Sequence, residues 1–464
     1  MRAAKHDLTT GPIFGKLISL SLPIMATSFM QMAHNMTNMF WLGRLGRDYV
    51  AAAALAGQFL WLSMALMMMC RIGAEIGVSQ NMGKGNMDEA RSFAQNGFLL
   101  AIGVGIFFAA VVAIFRSQLI WFFNMDDPVV VDIAERYLLV VAASLPFTFG
   151  HFVITGVYGG YGNTKIPFYI NSFALALNIG LSPVLIFVLD MGIYGAATSM
   201  VVASAANFSL KLWAMKRYSG RPFEKYRVLI KPVWEKITQI LRWGIPVAIE
   251  SALFTTLFMV VSRLIASEFG TGAVAAHNVA MNIESLAFMA AGGFATAITA
   301  FIGQNFGAKK WGRMRSTYRV ATIVMAVYGV AVTVILFTLA TPLISIFLDD
   351  PADIIIGRDY LRIIGLAQLL FCMEGVATGS FRGQGLTFKP TIVSGTSNVI
   401  RVFVTYALAA TALGITGVWV GIAIAMTLRS AWMLAWHWWY MRKRYVGDEP
   451  EMVVQEEEIV SDKF

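Results

Sequence analysis

The sequence predicts an all-α integral membrane protein of about twelve transmembrane helices, in two six-helix lobes related by a pseudo-two-fold axis along the membrane normal. Three observations support this fold class. Apolar side chains make up 57% of the 464 residues and charged ones only 14%, whereas soluble domains usually carry about a quarter charged residues. Long apolar runs recur along the chain, and the second half of the sequence repeats the first.

Each apolar run has the length of about 20 residues or more that a helix needs to cross a hydrocarbon layer of about 30 Å. The predicted spans are 14–42, 50–75, 92–116, 129–158, 165–189, 193–216, 234–266, 272–303, 316–343, 354–381, 388–411 and 415–441. About 23 Lys and Arg fall on one side of the membrane, against roughly five on the other. We therefore expect a multi-pass protein of the cell membrane with both termini in the cytoplasm. Topology accounts for the net charge of +9, so no nucleic-acid partner is expected.

The internal repeat has an offset of about 223 residues. The segment 156–167 matches 379–390, and Asp127-Pro128 matches Asp350-Pro351, where each aspartate is predicted to cap a helix N-terminus. An even number of spans separates the copies, so both lobes should have the same orientation. The predicted division is an N-lobe (1–217), a cytoplasmic linker (218–233), a C-lobe (234–441) and a cytoplasmic tail (442–464).

Four charged residues lie well inside the apolar runs of the second half: Glu250, Glu284, Glu374 and Arg401. A charge at mid-bilayer costs roughly 2.5 to 3.5 kcal/mol, so each one kept there needs a reason. If their helices line the interior of one lobe, the three carboxylates and the guanidinium should converge. Such a cluster predicts a proton or cation-coupling site, and the alternative is a salt-bridge network around Arg401 that only holds helices together.

A helical face in the eighth predicted span carries His277, Met281, Glu284 and Phe288. This mixture of polar and apolar side chains is typical of a cavity wall, although helix packing could produce the same stripe. The first two spans are rich in methionine and aromatic residues, including Met36 and Trp61. Soft, unbranched methionine side chains suit surfaces that bind varied ligands. We therefore predict that these residues line a substrate cavity.

Several motifs, in this order and duplicated, resemble those of the multidrug and toxic compound extrusion family over nearly the whole chain. They are Asn38-Met-Phe-Trp-Leu-Gly-Arg-Leu-Gly46, Ile283-Glu-Ser-Leu286, Gly303-Gln-Asn-Phe-Gly307, the segment 379–390 and Arg401. The resemblance implies alternating-access antiport, in which protons or sodium ions enter while organic, often cationic, compounds leave through a cavity. It also implies coupling acids at Glu284 and Glu374, with Na⁺ as one ion that they could bind, and a less well matched acid at Glu250.

The first half departs from the family pattern. Similar members often carry an aspartate where this chain has Asn38 and another where it has Ser182, and neither residue present here can titrate. Asn178, which belongs to the same motif, is kept. The resemblance places Asn38 and Asn178 at the substrate cavity, but it leaves a proton mechanism in the first lobe in doubt.

Three other functions are open to a membrane protein of this kind. A flippase for a lipid-linked saccharide or another lipid should carry more cationic side chains in its cavity, to meet phosphates. An enzyme is not expected, because the sequence has no metal-spaced histidines and no nucleophile elbow. A channel fits buried carboxylates less well than a gated carrier does. We expect no cofactor beyond the coupling ion, small organic molecules and the bilayer as partners, and a monomer.

Overall fold

The computed structural model describes residues 6–122 and 127–444, except for the side chains of Asn35, Arg47 and Trp61. These residues form helices joined by short connections, and no strand occurs among them. The helices are α1 (Ile13–Leu45), α2 (Arg47–Gly83), α3 (Met87–Trp121), α4 (Pro128–Ala142), α5 (Leu145–Tyr161), α6 (Lys165–Pro183), α7 (Gly192–Arg217), α8 (Trp234–Gly307), α9 (Trp311–Thr338), α10 (Ala340–Ser345), α11 (Pro351–Gly383), α12 (Phe388–Ala409) and α13 (Gly414–Arg444). A π-helical turn, Val184–Val188, follows α6.

The number of spans agrees with the prediction of about twelve. Ten helices in the described part of the chain are long and apolar enough to cross a membrane, and α4 with α5 form one further span bent by 47°. Helix α8 has 74 residues, which at 1.5 Å per residue is about 110 Å and several times the thickness of a bilayer core. It breaks at Gly270, whose φ of 78° and ψ of −175° lie in a region that only glycine adopts readily. Counted as two spans, α8 completes the twelve.

Two predicted spans differ from the observed helices. The run 129–158 is not one straight helix, because α4 ends at Ala142 and α5 begins at Leu145 with Pro146 in its first turn. The run 316–343 divides into α9 and the short α10. Hydropathy marks an apolar run but does not show where the backbone turns inside it.

The predicted aspartate caps are confirmed. The Asp127 carboxylate accepts a hydrogen bond from the Val129 N–H at 2.9 Å, and the Asp350 carboxylate accepts one from the Ala352 N–H at 2.8 Å. In each helix, a proline occupies the first turn, where its missing N–H costs no intrahelical bond. The same start therefore occurs at matching positions of the two repeats.

The chain forms two compact units. Unit 1 comprises Met1–Asp7 and Ile18–Ala252, and unit 2 comprises Leu8–Leu17 and Leu253–Phe464. The prediction put a boundary at 217 and a linker at 218–233, whereas the structure assigns the linker and the start of α8 to unit 1.

Hydrogen bonds to side chains explain why the linker 218–233 belongs to unit 1 and why the segment Leu8–Leu17 belongs to unit 2. In unit 1, the Gln95 amide donates to the Arg227 carbonyl at 2.9 Å. In unit 2, the Leu8 N–H donates to Gln304 Oε1 at 2.9 Å, and Arg313 Nε donates to the Leu8 carbonyl at 3.1 Å.

Glycines allow equivalent close helix contacts inside each unit. A Cβ atom at Gly160 of α5 would lie 2.7 Å from the Glu75 carbonyl of α2, and one at Gly383 of α11 would lie 2.6 Å from the Thr299 carbonyl of α8. Small residues at helix interfaces are the usual means of close packing in membranes, where helices gain no hydrophobic driving force against each other. The repeat therefore preserves how the helices pack as well as their number.

Candidate functional site

Glu284 is held between two buried donors of α11 in unit 2. Tyr360 Oη donates to Glu284 Oε2 at 2.6 Å, and Gln368 Nε2 donates to Glu284 Oε1 at 3.0 Å. Tyr360 and Gln368 are eight residues apart, about two helical turns, so they present their polar groups on the same face of α11. Gln368 Oε1 is buried and has no hydrogen-bond partner within the described residues. The site thus combines a carboxylate, two donors and an unused neutral oxygen.

Aromatic rings surround the Tyr360 side of this site. His277 stacks on Trp419 with ring centroids 5.0 Å apart and meets Tyr360 edge-on at 5.2 Å. Tyr360 in turn meets Trp419 edge-on at 4.9 Å. His277 is 3% exposed, and neither of its ring nitrogens has a hydrogen-bond partner in the described part of the chain. The predicted cavity residue His277 is therefore a neighbour of Glu284 enclosed by rings.

The other two residues of the predicted face lie in less enclosed surroundings. Phe288 is 47% exposed and stacks on Phe371 at 5.4 Å and on Phe254 at 6.4 Å. Met281 is partly buried and packs against the apolar core of unit 2. His277, Glu284 and Phe288 all contact residues of α11, so the shared face is real. Its role as a cavity wall stays a prediction.

Glu374 has a different set of partners. Its Oε2 accepts from Arg429 Nε at 3.1 Å and from Ser430 Oγ at 2.7 Å, both on α13. The Glu374 and Arg429 side chains are 7% and 14% exposed, so this is a buried ion pair. The sequence analysis did not single out Arg429, although an arginine deep in an apolar run, far from the basic end 442–444, was a signal that it needed a partner.

The structure shows one part of the expected convergence around Arg401: Arg401 and Glu284 interact electrostatically, whereas Glu374 pairs with a different arginine. Glu284 and Glu374 have separate partners, and the arginine paired with Glu374 is Arg429. Arg401 lies over the Phe254 ring, 5.8 Å from its centroid, and its Nε has no hydrogen-bond partner among the described residues. Glu250 is partly buried and belongs to unit 1. The partners of each charge depend on how helices face one another, which spacing in the sequence does not reveal.

A sodium ion bound by Glu284 and Glu374 together stays a prediction; the two carboxylates have different hydrogen-bond partners in the structure. Among the described residues, no group of three or more His, Cys, Asp and Glu side chains could hold a metal ion.

The predicted cavity residues of unit 1 lie in three different surroundings. Asn178 is fully buried between α6 and α7, where its Nδ2 donates to Ser199 Oγ at 3.2 Å. Asn38 Nδ2 lies 3.3 Å from His34 Nε2, one turn away on α1. Met36 is 59% exposed. The Trp61 side chain lies outside the described residues. Asn178 therefore joins two helices rather than facing an open space.

Unit 1 contains a buried lysine that was not among the predicted site residues. Lys211 of α7 is fully buried, yet in the sequence it looks like part of the basic end formed by Lys216 and Arg217. Arg71 and Glu75 lie four residues apart on α2. They form an ion pair, with Arg71 Nε 3.9 Å from Glu75 Oε2, in which Glu75 is buried at 1% exposure and Arg71 is 13% exposed. Buried charge is thus present in both units.

Two helical units, each with charged side chains among membrane-spanning helices, are typical of a carrier-type membrane transporter. The sequence pattern of the MatE family matches residues 23–184 and 246–407, and the two starts and the two ends are both 223 residues apart. The chain belongs to the MatE family. The match in both halves also confirms the internal repeat.

Relatives and solved structures agree with this assignment. The chain is similar to the probable multidrug resistance protein NorM of Thermotoga maritima, with 28% identity over 89% of this chain and 90% of the relative. It is 25% identical to the probable multidrug resistance protein YoeA of Bacillus subtilis, over 94% of this chain and 96% of that one. A crystal structure of a MATE P26A mutant matches with a TM-score of 0.88 at 20% identity, covering 94% of this chain and 98% of that one. An outward-facing multidrug resistance MATE transporter matches with a TM-score of 0.87 at 21% identity, covering 95% and 98%. These structures establish the two-lobe fold.

Proposed function

We propose that this chain is a secondary active exporter of organic, often cationic, compounds, which it antiports against protons or sodium ions. Membership of the MatE family supports transport, and the names of the relatives, which describe multidrug resistance, support a varied cargo. The exported compounds and the coupling ion are the small-molecule partners in this proposal, and no cofactor is needed.

The Glu284 site carries the proposal. A carboxylate that lies among membrane-spanning helices is expensive unless something compensates its charge. Tyr360 and Gln368 stabilise the ionised form of Glu284 with two hydrogen bonds. The unused Gln368 Oε1 and the aromatic faces of Tyr360 and Trp419 supply further groups that attract a cation. A visiting proton or sodium ion would complete such a site.

In the proposed cycle, binding of the coupling ion at Glu284 and binding of cargo exclude one another. The ion enters from outside and favours release of cargo to the outside, and its discharge to the cytoplasm resets the carrier. Each positive charge that moves inward across 100 mV releases about 2.3 kcal/mol. At about 1.4 kcal/mol per tenfold ratio, one ion per cargo supports a gradient of about 50-fold in an uncharged compound.

We further propose that the protein is a monomer of the cell membrane with both termini in the cytoplasm. The argument is the bias of Lys and Arg toward alternate loops, which usually face the cytoplasm. In everted membrane vesicles the cytoplasmic face is outside, so export appears as uptake.

Uptake of ethidium, a fluorescent organic cation, into everted vesicles tests the proposal. A lumen-acid proton gradient and a lumen-high sodium gradient are imposed separately, with the membrane potential clamped. We expect one of the two gradients to drive uptake in the wild type. Glu284→Gln should lower this uptake at least tenfold, because the amide cannot bind or release the ion.

Glu268→Gln is the matched control, because Glu268 is an exposed glutamate of the same helix, α8. It should transport like the wild type. Gradient-driven uptake that survives in Glu284→Gln would reject Glu284 as the coupling residue, and no uptake under either gradient in the wild type would reject antiport itself.

A flippase for a phosphate-bearing lipid is the alternative function. Phosphate recognition needs cationic donors that are open to the cargo. Lys211, the fully buried cation of unit 1, has short hydrogen bonds to Thr155 and Asn171. Its donors are therefore engaged within the protein, which favours export of cationic compounds over lipid transfer.

A further inference from the structure

Lys211 lies inside a cluster of neutral polar groups in unit 1. Its Nζ is 2.8 Å from Thr155 Oγ1 of α5 and 2.7 Å from Asn171 Oδ1 of α6. No carboxylate forms an ion pair with Lys211 in the part of the chain that the structure describes. An ammonium ion buried without an anionic partner costs several kcal/mol. The cluster therefore raises the question of which protonation state Lys211 has and when it changes.

The two oxygens next to Lys211 are both fixed as acceptors by their other contacts. Thr155 donates its hydroxyl hydrogen to the His151 carbonyl at 2.8 Å, so its oxygen can only accept from Lys211. Asn171 Oδ1 also accepts from Asn207 Nδ2 at 3.1 Å. Lys211 must therefore donate two N–H groups, which both an ammonium ion and a neutral amine possess.

The third direction around Lys211 Nζ faces His151. Its ring Nδ1 and its carbonyl oxygen each lie 3.5 Å from Nζ. If Lys211 is an ammonium ion, its third N–H points to the Nδ1 lone pair. If Lys211 is a neutral amine, its lone pair can accept from Nδ1–H. Both states fit the same arrangement of heavy atoms, and they differ by the position of one proton.

Few ionisable groups act on this pair from the neighbouring helices. Arg71 of α2 acts on Lys211 and is itself paired with Glu75, while His34 of α1 acts on His151. The Arg71 and Glu75 charges oppose each other, so the proton shared by Lys211 and His151 is the variable charge of the cluster. His34 is the next imidazole that could receive it, since His151 faces it from α5.

We propose that Lys211 and His151 form a proton-binding site in unit 1, in which an amine and an imidazole share one proton. On release, a proton moves from Lys211 Nζ to His151 Nδ1, the imidazole gives up its Nε2 proton, and a neutral amine and a neutral imidazole remain. This inference rests on the proposed export of cationic cargo, because loss of the positive charge favours binding of a cation in the same unit.

Proton release during cargo binding tests the site without any gradient. Purified protein in weakly buffered detergent is mixed with ethidium, and a pH indicator reports the protons released over a range of starting pH values. For each proton that binding displaces, the Kd for ethidium falls about tenfold as the pH rises by one unit. We expect the wild type to release protons in this range. Residue 211 stays neutral in Lys211→Met and charged in Lys211→Arg. In both variants, binding should release one proton fewer, and the dependence of log Kd on pH should be shallower by one.

Lys225→Met is the control, because Lys225 is exposed in the loop that follows α7 and lies outside the Lys211 cluster. A wild type that releases no protons, or folded Lys211→Met with the wild-type slope, would overturn the inference.

Asn171→Asp provides a second test that does not remove the lysine. The new carboxylate would lie where Asn171 Oδ1 now accepts from Lys211, and an opposite charge at this distance favours the charged amine by about 1 to 3 pH units. The pH at which ethidium releases the proton should rise by that amount. An unchanged value in the folded variant would contradict the proposal. If proton release behaves as expected but no gradient drives vesicle uptake, antiport fails while the Lys211 site stands.

Discussion

Replacing Tyr360 by phenylalanine removes one hydroxyl group from the Glu284 site and little else. The Tyr360 ring packs edge-on against Trp419 and His277, and a phenylalanine ring keeps both contacts. The lost interaction is the 2.6 Å hydrogen bond from the phenol to Glu284 Oε2. The substitution therefore tests the chemistry of the carboxyl group with the packing held nearly constant.

The size and sign of the effect follow from that hydrogen bond. A hydrogen bond to a charged group contributes about 1.5 to 3 kcal/mol, and 1.36 kcal/mol corresponds to one pH unit. The phenol stabilises the ionised carboxylate over the protonated carboxyl, so its loss favours the protonated form. If protons are the coupling ion, Glu284 in the Tyr360→Phe variant should keep its proton to higher pH than in the wild type. The pH of half-maximal transport should then rise by about 1 to 2 units.

The assay is proton-driven ethidium uptake into everted vesicles, measured over a range of external and luminal pH. Tyr137→Phe is the control, because Tyr137 is a buried tyrosine of unit 1 whose hydroxyl contacts only the Met200 sulfur, at 3.6 Å, among the contacts observed. Its pH profile should match the wild type. If folded Tyr360→Phe also keeps the wild-type midpoint, the Tyr360 hydrogen bond does not act on the coupling group and the assignment of Glu284 is wrong.

Three further substitutions test separate parts of the description. Gln368→Leu removes a hydrogen-bond donor to Glu284 and the unused Gln368 Oε1. If that oxygen binds the sodium ion, sodium-driven uptake should fall more than proton-driven uptake. Equal losses would argue against this role. Arg429→Met leaves Glu374 buried without its cation, which should cost about 3 to 5 kcal/mol of stability. Thermal unfolding of the purified protein measures this, and adding Glu374→Gln should recover most of the loss. Asp350→Ala removes the cap of α11 and should cost about 0.5 to 2 kcal/mol in the same measurement, whereas no loss would mean that water replaces the cap.

Features that depend on local sequence could be predicted well. The caps at Asp127 and Asp350 follow from an aspartate placed directly before a proline, and the spans follow from the lengths of apolar runs. The offset of the repeat was readable from landmarks such as Gly379, and it fixed the number of helices per half. In each case the information lies within a few residues or in the period of the chain.

Partners between helices could not be predicted in the same way. Glu284 bonds to Tyr360 and Gln368, which are 76 and 84 residues away, and an uncharged tyrosine in an apolar run gives no signal that it faces an acid. Arg401 looked like the natural partner of the acids because it is charged, yet Arg429 pairs with Glu374. The rotation of each helix about its axis decides such pairs, and that rotation is set by packing.

The repeat relates the Glu374–Arg429 pair of unit 2 to the Lys211–His151 cluster of unit 1. The comparison helps to decide which acid couples ion binding to transport. The shift that aligns Gly156 with Gly379 also places His151 opposite Glu374, and the shift that aligns Gly192 with Gly414 places Asn207 opposite Arg429. Lys211 lies one turn beyond Asn207 on the same helix. In each repeat, a basic residue of the last helix therefore lies against the corresponding earlier helix, with Glu374 as its partner in the second repeat and His151 in the first.

The two clusters consequently have different charge balances. Glu374 and Arg429 neutralise each other, so protonation of Glu374 would leave a buried arginine without its anion, at a cost of several kcal/mol. Lys211 has only neutral partners, so loss of its proton brings its cluster closer to neutrality. Glu284 has two neutral donors, and Arg401 acts on it electrostatically without a direct ion pair among the described residues, so a proton or a sodium ion at Glu284 breaks no salt bridge. On this reasoning Glu284 is the better coupling residue, and Glu374→Gln should reduce stability more than it reduces coupling.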